Sequence, residues 1–280
     1  MPMRRRRPAS FHAVLAVGLA LATLCGCQRG REVEAPASAP AAPADPVAVA
    51  ATPELKDVIE TTPAYIIGIS YPQEAVRYPP LARALQDYAA AVQDQLMQAL
   101  GELKGRRPAV PYDLSLNFSL VAETPRVVAV AATGSSYLGG AHGVPLEQRF
   151  VWLPQMQQML AAEQLIPNAA DWAPVSDYVR AQLKTRVQRD LDDDHLDPDV
   201  YAEQMQMRGG MIDEGTAPKP VHFARFEPVM NADGSIRALR FVFPPYQVAP
   251  YVEGTQTVDV PARVLLPLVA PAYRPLFRAG

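Results

Sequence analysis

Cysteine is almost absent: Cys25 and Cys27 are the only two in 280 residues. Nothing beyond position 27 can therefore form a disulfide, a thiolate metal site or a cysteine nucleophile. Histidine is nearly as scarce. His142, His195 and His222 stand far apart, and no His-x-x-x-His or His-Glu-x-x-His pair occurs, so the helical zinc motifs are missing. No Gly-x-Ser-x-Gly elbow is present either, which removes the commonest serine-nucleophile signature. A basic excess is lacking: 26 Lys and Arg stand against 29 Asp and Glu, which argues against nucleic acid as a partner. These absences leave no cofactor, no metal ion and no assembled catalytic set. The chain is read as a binding protein and not an enzyme. A cell-wall hydrolase or deacetylase stays as the lesser alternative, because triad members need only spatial proximity.

The first residues are distinctive. Arg4 to Arg7 form a positive block, and an uncharged run follows from Phe11 to Leu24. That run has the length of a signal-peptide core and is too short to span a bilayer. It ends in Leu24-Cys25-Gly26-Cys27, a bacterial lipobox pattern. Residues 1–26 are thus expected to be a lipoprotein signal peptide, with Cys27 the lipidated first residue of the mature chain. Gln28, not Asp, follows it, which points to the outer membrane, facing the periplasm. Removing Arg4 to Arg7 leaves 22 basic against 29 acidic side chains, a formal charge of −7. Such a surface suits a cationic protein partner.

Residues 27–53 are dominated by Ala and Pro, including Pro36, Pro40, Pro43, Pro46 and Pro53. This composition reads as an extended tether between membrane and folded part. Folded structure is expected from Glu54, in two α+β parts, 54–134 and 135–280. Strands are predicted at 64–70, 112–121, 127–133 and 149–152, and a helix at 79–104 from Leu81, Leu85, Tyr88, Val92, Leu96, Leu100 and Leu103. Helices are predicted at 154–166 and 171–191. The acidic, then Met- and Gly-rich stretch 190–215 is predicted to be helix ends and a mobile loop. A hairpin is expected around Asn231-Ala232-Asp233-Gly234, then a strand at 257–260 and a helix at 261–269. The fold class is α+β, a mainly antiparallel sheet with helices packed on one face.

Two motifs stand out. One is Tyr137-Leu138-Gly139-Gly140-Ala141-His142-Gly143; the other is Pro245-Tyr246-Gln247-Val248-Ala249-Pro250-Tyr251-Val252-Glu253-Gly254, followed by Val258-Asp259-Val260-Pro261. The pair, in this order, resembles the extracytoplasmic domain of the RsiV anti-sigma factor family, whose tail domain also occurs in PdaC-like cell-wall proteins. The resemblance spans about residues 60–270. It implies a two-part α+β domain and, in the RsiV branch, a receptor for C-type lysozyme. The sigma-binding segment, the transmembrane helix and the deacetylase domain of those relatives have no counterpart here, so only the shared module is expected.

Residue chemistry refines this. Gly139, Gly140 and Gly143 allow positive φ and close backbone approach, and His142 is read as a structural hydrogen-bond hub; Gly254 is assigned a structural role with them. Prolines stiffen a loop, and tyrosines offer wide contact area at low entropic cost. Ser136, Tyr137, Pro244, Pro245, Tyr246 and Tyr251 are therefore the candidate protein-binding face. The expected partner is a lysozyme-like peptidoglycan hydrolase or another envelope protein, with peptidoglycan itself the alternative. Asp190, Asp192 and Asp194 share the spacing of a calcium loop, but His195 and Tyr201 occupy positions where Gly and Glu are required, so a solvated acidic run is expected.

Overall fold

The computed structural model describes residues 54–279. The leader at 1–26, Cys27 and the 27–53 tether lie outside the described residues.

A six-stranded sheet runs in sequence order: β1 (Val58–Thr61), β2 (Tyr65–Ser70), β3 (Tyr112–Glu123), β4 (Val128–Tyr137), β5 (Val144–Leu153) and β6 (Gln158–Met159). Neighbours pair antiparallel except β2 and β3, which are parallel. A parallel pair needs a long crossover, and α1 (Pro79–Glu102) supplies it. Pro79 and Pro80 sit in its first turn, where a missing N–H costs nothing. Leu81, Leu85, Ala89, Val92 and Leu96 turn inward from it. Lys104 and Gly105 then take positive φ and end it.

The second sheet is a meander of β7 (Phe226–Met230), β8 (Ile236–Phe243) and β9 (Gln256–Pro261). Between the sheets in sequence come the short α2 (Ala162–Leu165), then α3 (Trp172–Asp193) and α4 (Pro198–Gly215); α5 (Ala262–Leu265) follows β9. Trp172, Val175, Val179, Leu183, Val187 and Leu191 form the buried stripe of α3. Trp172 is fully buried, stacks on Phe223 at 5.2 Å and donates its indole N–H to the carbonyl of Ile166.

Two cores result, and β4 belongs to both. Val128, Val130 and Ala132 face the α1 core, whereas Val127 and Ala129 face the core of the second sheet and α3. Every residue from Val127 to Ala132 is buried, as in strands covered on both faces. The boundary expected between 134 and 135 falls inside β4. A strand that seals two cores cannot end one part and begin another, and the described residues pack as one unit.

The fold is α+β, as expected, but with two sheets and one parallel pair. Other expectations are corrected. Residues 154–166 form a turn, β6 and α2, not one helix; Pro154 and a positive φ at Gln157 interrupt the helical period. Residues 198–215 form α4, not a mobile loop. Its Gln, Glu, Met and Arg residues are good helix formers, and Asp213 anchors it to α3 through Arg180 and Lys184 at 2.8 and 2.7 Å. Only Ile212 and Gly215 are buried on α4, so no apolar stripe announces it. The helix α3 continues through Asp193 into the acidic run.

Candidate functional site

The two motifs meet at the surface. The glycine loop connects β4 to β5, and the Pro-Tyr loop leaves β8. His142 lies 4.6 Å from Tyr251 and 6.3 Å from Tyr246, ring centre to ring centre, and the two tyrosines are 5.6 Å apart. His142 Nδ1 approaches the carbonyl of Gly143 at 3.0 Å, and its Nε2 lies 3.4 Å from the Tyr246 hydroxyl. One tautomer satisfies both: Nδ1–H donates to Gly143, and Nε2 accepts from Tyr246. Tyr251 donates its hydroxyl to the same Gly143 carbonyl at 3.4 Å. His142 thus links the two loops as well as its own. Its hydrogen-bond partners are the Tyr246 phenol and a main-chain carbonyl, with the Tyr251 ring packed against it; among the described residues no nucleophile or carboxylate is hydrogen-bonded to it.

The cluster is exposed yet firmly held. Tyr246 is 58% exposed, and Val252 of the same loop 90%. Tyr246 adopts φ 71°, a region costly for an aromatic residue. Surrounding bonds impose it: Tyr246 N–H donates to Ala249, and Gln247 N–H to Pro244. Gln247 Nε2 donates to the carbonyls of both Gly215 and His222. The approach to α4 is so close that a Cβ on Gly215 would sit 1.8 Å from the Gln247 carbonyl oxygen. On the other side, Gly139 and Gly140 take φ 92° and 107°, and Tyr137 donates its hydroxyl to Gly140 at 3.2 Å.

The expected face is therefore gathered in part. Tyr246, Tyr251 and His142 come together; Pro244 and Pro245 are half-buried at the loop base; Tyr137 braces the glycine loop. Ser136 is a correction. It is buried within β4, pairs with Leu114 in register and has no hydrogen-bond partner for its hydroxyl among the described residues. Strand alternation turns its side chain into the α1 side of the sheet, where no partner can reach it. Gly143 does not take positive φ, while Gly254 does, at 67°.

Two features escaped the sequence reading. The first is a half-buried charge network under the site. Arg149 bonds Glu227 at 2.7 Å and Glu147 at 3.0 Å, Thr255 donates to Glu147, and Arg225 donates to the Glu147 carbonyl. These charges come from β5, β7 and the segments before β7 and β9, and no local motif announces such a set. The second is a cleft of about 440 Å³ on the inner side of the Pro-Tyr loop, against α3 and α4. In the acidic run, a hydrogen bond to Asp192 raises the pKa of Tyr201. Among the described residues, no group of three or more His, Cys, Asp or Glu side chains is arranged to hold a metal ion, and no helix is long and apolar enough to cross a membrane.

Residues 165–263 match the family described as Protein of unknown function (DUF3298). This stretch contains the Pro-Tyr motif. The chain is 23% identical over 205 residues to the peptidoglycan-N-acetylmuramic acid deacetylase PdaC of Bacillus subtilis strain 168, which covers 71% of this chain. The likeness to PdaC expected from the two motifs is thereby found. The chain spans only 39% of the length of that relative. A crystal structure of a DUF3298 family member from Bacteroides fragilis NCTC 9343 shares the fold, with a TM-score of 0.50 at 14% identity over 79% of this chain and 94% of that one. A DUF3298 family protein from Pseudomonas aeruginosa PAO1 aligns with a TM-score of 0.49 at 14% identity, over 81% and 95%.

Proposed function

We propose that this chain is an exported, lipid-anchored envelope protein that captures a lysozyme-like peptidoglycan hydrolase through the His142–Tyr246–Tyr251 face, as an inhibitor or an immunity protein. One observation carries the reading: two motifs about a hundred residues apart converge on one exposed, rigid aromatic cluster. Burying such side chains is what gives protein interfaces their strongest contacts. Pre-imposed backbone geometry at Tyr246 means little ordering is left to do on binding. The expected mature charge of −7 favours encounter with cationic hydrolases. The lipobox at Cys27 and the likeness to PdaC, whose name refers to peptidoglycan, support a place in the cell envelope. The deacetylase activity in that name belongs to the relative, and nothing bonded to His142 supplies a nucleophile for it here.

A second reading, direct binding of peptidoglycan glycan, is favoured by the sheet face opposite α1. There Ser115, Asn117, Ser119 and Ser135 are exposed beside Thr133 and Ser70, a patch of short hydroxyl and amide groups bordered by Asp113 and Glu147. Gly68 continues it in mid-strand, where no neighbouring atom excludes a side chain.

Calorimetry of the purified full-length chain against a panel of lysozyme-type hydrolases tests the first reading, with inhibition followed in parallel. Tight binding that Tyr246→Ala and Tyr251→Ala each weaken at least tenfold is the expected result. No binding to any hydrolase, with retention on purified sacculi, would transfer the case to the second reading.

A further inference from the structure

The Pro-Tyr loop has two faces. Tyr246 and Tyr251 point outward to His142, while Val248, Ala249 and Glu253 of the same loop line the cleft behind it. The opposite wall is the C-terminal half of α3, and Arg208 and Ile212 of α4 complete the lining. At about 440 Å³ the cleft has the size of a small-ligand site. Its floor is apolar: Leu183, Val187, Ile212, Val248 and Ala249 are all buried.

The rim carries both signs of charge, unequally satisfied. Arg186 donates to the carbonyl of Thr257 at 2.7 Å. Arg208 lies 2.8 Å from Glu253, but its Nε and the Glu253 Oε1 are buried atoms without well-aligned hydrogen-bond partners. The short contact is a charge pair whose donors and acceptors are not fully used. Arg189, Asp190 and Asp194 have no side-chain bond or ion pair among the described residues. A concave site with an apolar floor and unpaired rim charges of both signs, Arg189 against Asp190 and Asp194, complements a molecule with the same pattern: a small apolar body, a free carboxylate and a free ammonium.

We propose that this cleft binds a short zwitterionic peptide with small side chains, its carboxylate toward Arg189 and its ammonium toward Asp190 and Asp194. Two sources share that chemistry, a peptidoglycan stem peptide and a short free peptide released from a protein. The inference does not depend on hydrolase capture, because the cleft and the aromatic cluster lie on opposite sides of the loop.

The test titrates the full-length chain calorimetrically with three probes: the stem tetrapeptide L-Ala-γ-D-Glu-diaminopimelate-D-Ala, trialanine, and N-acetyl-trialanine amide. Saturable binding of the stem peptide or trialanine, with the blocked peptide at least tenfold weaker, is expected. Stem-peptide binding without trialanine binding identifies the cell wall as the source; comparable binding of both identifies short free peptides of protein origin. Arg189→Gln and Asp194→Asn should each weaken binding about tenfold. Both are exposed and internally unpaired, so melting temperature should hold, and hydrolase capture by the outer face should not change. Absence of saturation by either free peptide at millimolar concentration, or equal binding of the blocked one, would overturn the assignment.

Discussion

Arg149 Nε lies 2.7 Å from Glu227 Oε2, joining β5 of the first sheet to β7 of the second. The Arg149 side chain is only 9% exposed, and Glu147 and Glu227 are nearly as hidden. Removing the guanidinium would leave the half-buried Glu147 without an ion-pair partner and Glu227 with only the longer contact to Arg240 at 3.7 Å. Arg149→Met is expected to lose about 3–5 kcal/mol of stability, measured by urea unfolding. A triple variant that also carries Glu147→Gln and Glu227→Gln should recover much of that loss, since it removes the stranded charges. If Arg149→Met alone costs under about 1 kcal/mol, the network does not join the sheets energetically.

Gly215 tests how the binding loop is held. Its Cβ position is occupied by the Gln247 carbonyl, so Gly215→Ala must push the loop away from α4. A cost of about 1–3 kcal/mol is expected, with a larger proportional loss of partner binding. Gly209→Ala, on the same helix with open space around it, should instead be neutral or stabilise by up to about 1 kcal/mol. Thermal melts of the two variants side by side give the comparison.

Tyr246 separates stability from recognition. Its φ of 71° suits glycine better than any aromatic residue. Tyr246→Gly is therefore expected to leave unfolding free energy within about 1 kcal/mol of the parent, while hydrolase capture falls at least tenfold. A variant that unfolds readily would show the ring to be packing, not presenting.

Acid behaviour follows from the β7–β8 turn. Asp233 accepts from the Ser235 hydroxyl and main-chain N–H and pairs with Arg278, which lowers its pKa to about 2. A depressed carboxyl stabilises the fold above its unfolded pKa of about 3.9, and that contribution disappears as pH falls through 4 toward 2. The group is exposed, so the effect is small and salt-sensitive. Asp233→Asn should flatten the melting profile between pH 4 and 2; an unchanged slope would assign acid sensitivity to other carboxylates.

Several elements were legible because one face of each is continuously buried. The stripe of α1 and the alternation Tyr112, Leu114, Leu116, Phe118 in β3 repeat the geometry of their elements. The helix α4 was not legible: it buries little, carries Gly209 and Gly210 in mid-helix, and is fixed by Asp213 reaching α3. The pairing of His142 with two tyrosines was half legible. The motifs marked the loops, but nothing in either motif says that they touch. Ser136 was misplaced because a flanking serine and a buried strand serine look alike until register is known.

The sequence by itself determined the α+β class, most strands, α1 and α3, and the two loops that matter. Those depend on local periodicity and on residues with restricted or permissive φ. Only the tertiary structure decided that β4 seals two cores, that the Pro-Tyr loop turns tyrosines outward and a cleft wall inward, and that Arg149 joins the sheets. Each of these is a contact between residues distant in sequence, fixed by packing and charge pairing in three dimensions, and no local pattern encodes which distant partner is met.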